Sequence, residues 1–437
     1  MDENLPVTVV TYSLPEEERA CSCCGNSAHV MKTETYRTLD IIPAKIFVTE
    51  HRCEVYSCRM CEREGTETPI FKAPMPKQPL PKTMASPSVL AYVLVQKYLD
   101  SLPLYRQSGQ FEQLGAFISR QTMSNWVIGA TEKWLAPIYE RMREFLLTQQ
   151  VLHADETSLQ VLREEGRSAS SKSYVWLYRT GRSGPACVLY DYHTTRSSQH
   201  PCEFLGGFEG TLHVDGYPGY NSLKGVTLSC CWAHARRKFI DAGRSSPKKS
   251  GGPPTLTDQA IARIGAIYKV EEKIREAEER SKKHDPETRL KIRKEKSLPL
   301  VQAFFAWLKT IQNEVLPKSH LGKAIAYSLN LEEKLMQPFR DGRLDIDNNL
   351  AERTIKPFVI GRKNWLFSNT PEGARASVIA YSLVVTAKEN GLNVLKYLEH
   401  LFSTLPNLDL NNHAELDRLL PWSKDLPAEC RLPKDDN

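Results

Sequence analysis

Hydrophobic spacing along the chain changes character near residue 150. Between Ser88 and Gln149 apolar residues recur at helical intervals, in SPSVLAYVLVQKYLD, in FEQLGAFISRQTMSNWVIGA and in ATEKWLAPIYERMREFLL. This spacing predicts a set of amphipathic helices. From Val151 the apolar runs become short and are bounded by turn residues: VLHADETSLQVL, KSYVWLYRT, ACVLYDY, GTLHVDG and VTLSCCWAH. These five read as strands, with a short helix in SSQHPCEFLGGF between the third and the fourth. Beyond the Gly-, Pro- and Ser-rich loop at Ser245–Asp258, a stretch dense in both charge signs, including KVEEKIREAEERSKKH, predicts solvent-facing helices up to about Leu316. Asp285-Pro286 turns the first of them back into a second. Helical spacing returns in DNNLAERTIKPFVIGRKNW, in SVIAYSLVVTAKENG, which ends on Asn390-Gly391, and in NVLKYLEHLF.

Three strands able to pair as a meander, then alternating helix and strand, are the order of an α/β fold with a mixed five-stranded sheet. It is the order of a ribonuclease H-like core, with strands one and four as parallel neighbours. The charged helical stretch is then an insertion between the fifth strand and the last part of that core. The expected organisation is a cysteine-bearing module at 15–66, a proline-rich linker at 67–87 and a helical region at 88–149. The first part of the core follows at 150–244, the insertion at 245–340, the last part of the core at 341–403 and a tail at 404–437, polar and disordered after about Trp422. Six prolines between Pro69 and Pro87 make the linker an extended, solvated spacer. Phe111–Ala130 reads as helix, turn with Gly115, helix. This is the shape of a helix-turn-helix with Arg120 and Asn125 on the exposed start of its second helix, though a plain helical hairpin has the same pattern.

Candidate chemistry begins with an echo. Leu152-His153-Ala154-Asp155 and Leu212-His213-Val214-Asp215 are both apolar runs that end on a carboxylate. On neighbouring strands the two aspartates would come together and repel, unless one stayed protonated or a hard divalent cation lay between them. Each Asp alone also suits a turn or a cap. Further on, Asn348 and Asn349 share a helix face with Glu352, which can reach metals held by the aspartates. The same spacing fits a capping box with Asn349 as cap and Glu352 at its third position. Cys231 and His234 look like metal ligands but read as packing and orienting groups. Arg236 and Arg237 beside them suit a phosphate clamp, and Arg362, Lys363 and Trp365 suit backbone contact and base stacking.

Eleven cysteines without a secretory signal point to a reducing compartment, and six of them precede position 62. Cys21 and Cys24, then Cys58 and Cys61 after a 33-residue gap, form two C-x2-C pairs. Together these could close one tetrahedral, structural zinc site, with Cys23 and Cys53 as spare thiols and strands expected between the pairs. A net charge of +6 permits a nucleic-acid partner without arguing for one, and no apolar run is long enough to span a bilayer.

HADET, HVDGYPGYN, CCWAHARRKF, DNNLAERTIKP, GRKNW and SNT-x2-GA-x6-YSL-x2-TAK, with SLPLYRQ and CSCCG…CRMC, together resemble the transposases of the insertion sequence 66 family over nearly all of residues 15–422. The resemblance implies a ribonuclease H-like DDE core that cuts and joins element ends with two Mg2+ (or Mn2+) ions. It places the triad on Asp155, Asp215 and Glu352, and leaves Asp345 and Asp347 as nearby acids outside the motif. It further implies double-stranded DNA partners (element ends and target), a homo-oligomer on DNA, accessory proteins of the same element, no membrane, and the bacterial cytoplasm and nucleoid as location. Family members commonly carry a leucine-zipper-like region before the zinc module. Barely twenty residues precede Cys21 here, as in a truncated chain or a shorter variant, so the resemblance does not extend to the family's self-association and end-synapsis. Two competing functions share these features: an inert, domesticated DNA-binding regulator, and a different nuclease on the same fold. Retention of all three acids weighs against the first, and the amino-terminal modules weigh against the second.

Overall fold

The five core strands come together as one mixed sheet in a computed structural model, which describes residues 9–13, 15–19, 23, 26–27, 29–35, 45–65, 70–245, 253–281 and 283–433. The chain divides into two units, Met1–Thr49 and Glu50–Asn437. The described part of the first holds the short 3-10 helix Glu16–Arg19. The second opens with strands β1 (Val55–Ser57) and β2 (Ile70–Lys72), paired antiparallel around helix α1 (Arg59–Glu64). The strands expected between the cysteine pairs are otherwise absent from residues 45–54, which carry no regular secondary structure, while residues 36–44 lie outside the described set.

Helices α2 (Pro87–Tyr98), α3 (Leu104–Gln113), α4 (Arg120–Ala130) and α5 (Ala136–Leu147) follow. Ser86 caps α2, and Pro87 takes its first position, where no N–H is needed. Pro137 has no N–H to offer, and the turn before it, Thr131–Leu135, widens so that Ala136 donates to Thr131 O. The proline linker is less solvated than its composition suggests. Pro79 is buried, and its carbonyl accepts from the Trp134 indole at 2.8 Å.

The large sheet has the order β5-β4-β3-β6-β7, from β3 (Val151–Gln160), β4 (Lys172–Thr180), β5 (Val188–His193), β6 (Thr211–Val214) and β7 (Thr227–Cys230). β3, β4 and β5 form the antiparallel meander, and β6 and β7 continue in parallel from β3. Val175, Trp176, Leu177 and Tyr178 of β4 are all fully buried, so both faces of this strand are covered, and its run reads as continuously apolar. Helix α6 (Gln199–Phe204) links β5 to β6, and α7 (Trp232–Arg244) leaves β7. The insertion is α8 (Leu256–Ser281), α9 (Pro286–Ile292), α10 (Leu298–Ile311), α11 (His320–Asn330) and α12 (Glu332–Met336). Asp285 caps α9 through Glu287 and Thr288, as the Asp-Pro pair suggests.

The core closes with α13 (Asn349–Trp365), α14 (Pro371–Glu389), α15 (Val394–Thr404) and α16 (His413–Asp417). Helix α14 covers the free edge of β5 and supplies the partners that edge lacks. Ser382 Oγ accepts from Tyr190 N at 2.8 Å, and Thr386 Oγ1 accepts from Val188 N and donates to Val188 O, both at 3.0 Å. Gly361 lets α13 approach α14, since a Cβ there would lie 2.0 Å from the Tyr381 hydroxyl. The tail, expected to be disordered, folds back instead. Leu426 and Cys430 are buried, and Asn393 N donates to Cys430 O. No helix among the described residues is long and apolar enough to cross a membrane.

Candidate active site

The repeated Leu-His-x-Asp pattern is also the strand register. Leu152 pairs with Leu212 and His153 with His213 across β3 and β6, so Asp155 and Asp215 fall level, one on β3 and one just past the end of β6. Gly216, at φ +97°, turns the chain at once, a conformation that disfavours a side chain. Asp215 Oδ1 accepts from Tyr217 N at 2.8 Å, and its carbonyl accepts from the Tyr327 hydroxyl at 2.6 Å. Burial pushes the Asp155 carboxyl up to about 7. The carboxylates of Glu156, Asp215 and Glu352 add to the rise, against one backbone N–H from Glu156. Asp215, just past β6, and Glu352 on α13 therefore both act electrostatically on Asp155.

Glu352 does not cap its helix. Asn348, not Asn349, precedes α13, and its side chain is committed elsewhere: Oδ1 accepts from His153 Nδ1 at 2.9 Å and Nδ2 donates to Ala154 O at 2.8 Å. The carboxylate of Glu352 turns to α7. His234 Nδ1 is 3.6 Å from one of its oxygens and Arg237 Nη2 is 3.7 Å from the other. Cys231 joins them. Its sulfur accepts from Asn348 N at 3.1 Å, and among the described residues Cys231, His234 and Glu352 are the compact donor cluster, their ligand atoms within 4.8 Å of one another. Reading Cys231 and His234 as packing groups describes the burial of the cysteine but not this convergence, which their C-x2-H spacing could have signalled. Asp345 is engaged in ion pairs. Burial would raise its carboxyl, but Arg182 at 2.8 Å, His153 and Arg289 hold it at about 2. Burial raises Asp347, whose carboxylate accepts from Asn349 N.

Sequence reasoning gave no role to Glu156, the next residue of HADET. Its buried carboxylate pairs with Arg196 and accepts from the Tyr220 hydroxyl at 2.8 Å. Arg196 lies 3.8 Å from the centre of the Tyr217 ring. The GYPGY tyrosines thus clamp the strand beside Asp155.

The predicted nucleic-acid residues occupy separate places. Arg120 and Asn125 are exposed on α4, where Ser119 caps the helix and Gln121 donates to Asn125. Arg236 and Arg237 are exposed on α7. Arg362 reaches Thr157 at 3.1 Å on β3, and Lys363 is exposed. Trp365 is partly buried, edge-on to Phe358, with Lys97 over its ring. Of the four predicted zinc ligands, Cys21 and Cys24 lie outside the described residues. Cys58 precedes α1 and Cys61 lies within it. Hydrogen bonds from the Cys61 backbone and thiol, and from the Met60 backbone, hold the Cys58 thiol below its ordinary value, as a thiolate-presenting turn requires.

The acids thus lie on a mixed five-stranded sheet and on a helix packed beside it, and sequence comparison supplies the family. The model of the transposase IS66 family matches residues 82–376, that of the zinc-finger binding domain of transposase IS66 matches 18–62, and that of the IS66 C-terminal element matches 382–422. The chain belongs to the IS66 family of transposases. It is similar to three uncharacterized proteins of Sinorhizobium fredii (strain NBRC 101917 / NGR234). The identity is 30% to y4jD, 32% to y4qI and 27% to y4hP, each over 93% of this chain and over 78%, 74% and 74% of the relative.

Proposed function

We propose that the chain is a DDE-type transposase with a ribonuclease H-like core, which binds the ends of its element and carries out metal-dependent strand cleavage and strand transfer. The observation that supports this reading is the parallel register of β3 and β6, which levels Asp155 with Asp215, together with the electrostatic reach of Asp215 and Glu352 to Asp155. The donors fit hard divalent cations: they are carboxylate oxygens, and burial together with the neighbouring carboxylates disfavours the ionised Asp155, a cost a bound cation would offset. Two bound Mg2+ (or Mn2+) ions would supply activation of the attacking oxygen and neutralisation of the leaving one. Asp155, Asp215 and Glu352 would hold them. Asn348 fixes the strand of Asp155 to the helix of Glu352, and Tyr217 N and Tyr327 fix the turn of Asp215.

The α3–α4 pair would read element ends as a helix-turn-helix through Arg120 and Asn125. Arg236, Arg237, Arg362 and Lys363 would hold phosphates, and Trp365 would support that surface from its packed position. A structural zinc on Cys21, Cys24, Cys58 and Cys61 would shape the amino-terminal module, following the division into 15–66, 67–87, 88–149, 150–244, 245–340, 341–403 and 404–437. The protein would work as a homo-oligomer on DNA, with accessory proteins of its element, in the bacterial cytoplasm at the nucleoid.

The test incubates the protein with Mg2+ and DNA carrying the inverted repeats of its own element. Cleaved and joined products are expected, and nicks without joining would indicate a nuclease instead. Glu352→Gln should lower the rate at least about 10²–10³-fold while DNA binding survives. Normal cleavage by Glu352→Gln would refute the triad.

A further inference from the structure

Within the described residues Cys231, His234 and Glu352 are donors of three kinds, brought together by two helices. Cys231 precedes α7, His234 lies one turn on along the same face, and Glu352 arrives from the start of α13. Their sulfur, nitrogen and oxygen ligand atoms lie within 4.8 Å of one another. His234 Nδ1 and Glu352 Oε1 face each other at 3.6 Å, too far for a hydrogen bond. Each of these two atoms is buried and has no hydrogen-bond partner. Orphaned polar atoms of this kind need an explanation. Two donors bound to one tetrahedral zinc at about 2.0–2.1 Å stand roughly 3.4 Å apart, close to the gap between this nitrogen and this oxygen.

We infer that Cys231, His234 and Glu352 form a binding site for a borderline divalent cation of the zinc and cobalt class. A thiolate, an imidazole and a carboxylate suit such an ion, whereas Mg2+ prefers oxygen alone. The surroundings prepare each donor. The Cys231 sulfur accepts the Asn348 N–H at 3.1 Å and a backbone N–H from His234, which favour a thiolate once burial is offset by a cation. Burial, with Arg237 and Lys238 nearby, keeps His234 neutral against the pull of Glu352, as ligation requires. Arg237 Nη2 lies 3.7 Å from the second oxygen of Glu352, while the first faces His234. Three protein ligands leave the fourth position open, as in zinc sites that bind a water or a substrate. The site shares Glu352 with the proposed triad but stands on its own geometry.

The test strips metal from the full chain and titrates it with Co2+, following uptake by equilibrium dialysis and the thiolate-to-cobalt absorption band. The amino-terminal cysteines contribute equally to every protein compared, so difference spectra isolate this site. Wild type should show one more Co2+ than His234→Ala, whose remaining affinity at this site should fall more than about 100-fold, beyond the cost of losing an outer hydrogen-bond partner. Cys231→Ser should lose this part of the band, and Cys231→Ala serves if the serine protein does not fold. Asp155→Asn keeps all three ligands and should keep the full band even as cleavage disappears. Cleavage that persisted in Asp155→Asn would sink the triad and leave this site standing. An unchanged band in both Cys231 variants, wild-type Co2+ uptake by His234→Ala, or a band lost in Asp155→Asn would each overturn the site.

Discussion

Replacing Asp155 with asparagine should make the metal-free protein more stable while removing its chemistry. The folded chain gives up the Asp155 proton at about 7 and the unfolded chain at about the ordinary 3.8. Between those values the folded state binds more protons than the unfolded one, so its stability falls as pH rises from about 4 to about 7 and levels off above. A difference of about three pH units, at 1.36 kcal/mol each, sets an upper limit near 4 kcal/mol. Partial exposure of the carboxylate screens some of this and leaves roughly 1–3 kcal/mol. Asparagine has nearly the same size and does not titrate. At about pH 8 in chelator the Asp155→Asn protein should therefore gain that amount, and near pH 4 it should gain almost nothing. Added Mg2+ should stabilise the wild type and not the variant, because binding to the folded state alone raises its stability. Urea titrations at three pH values, with chelator and with Mg2+, measure all of this. A variant less stable than wild type at pH 8, or a gain that did not shrink on acidification, would show that the folded chain does not penalise the ionised Asp155 through burial and neighbouring carboxylates.

Arg293 is fully buried, with both Glu271 oxygens within 2.8 Å, so Arg293→Met should cost about 3–5 kcal/mol in urea titration; a loss below about 1 kcal/mol would contradict the pairing. Cys58→Ser with Cys61→Ser should lower the zinc content of purified protein by one ion per chain, and full retention would remove these two from the ligand set. Arg120→Ala should relax the preference for element ends over random DNA, whereas Arg362→Ala should weaken both and reduce the salt slope by about one; an Arg120→Ala protein with unaltered binding to both would exclude α4 from readout.

The sheet was legible because its signals are local. Short apolar runs mark the strands, and the repeated Leu-His-x-Asp is itself the register that levels Asp155 with Asp215. Glu352 was ambiguous because a capping box and an inward-facing acid share one spacing. What decides between them is where α13 begins: Asn348, not Asn349, takes the cap position, and its side chain is bonded to His153 and Ala154 on a strand almost two hundred residues away. Ser382 and Thr386 look like ordinary helix residues, and their service to the edge of β5 depends on tertiary contact alone. In the tail a polar composition concealed Leu426 and Cys430, whose burial depends on the surface left by α15.

The helical insertion has a role that its charged composition does not suggest. Two of its arginines are buried and point at the segment that leads into α13. Arg293 donates to Pro338 O at 2.9 Å and to Leu344 O at 2.7 Å, while Arg289 lies 3.4 Å from Asp345. From the other side, Trp232 N donates to Ile346 O at 2.9 Å, and the Asn348 N–H reaches Cys231. The five residues from Leu344 to Asn348 are thus held by the insertion, by the start of α7 and by β3 at once. They end four residues short of Glu352, too few for the acid to drift independently. A free glutamate on a surface helix would lose several rotamers on meeting a metal, whereas here the backbone beneath it is already fixed. The insertion therefore fixes the backbone from which Glu352 projects, the residue proposed as the third acid of the triad.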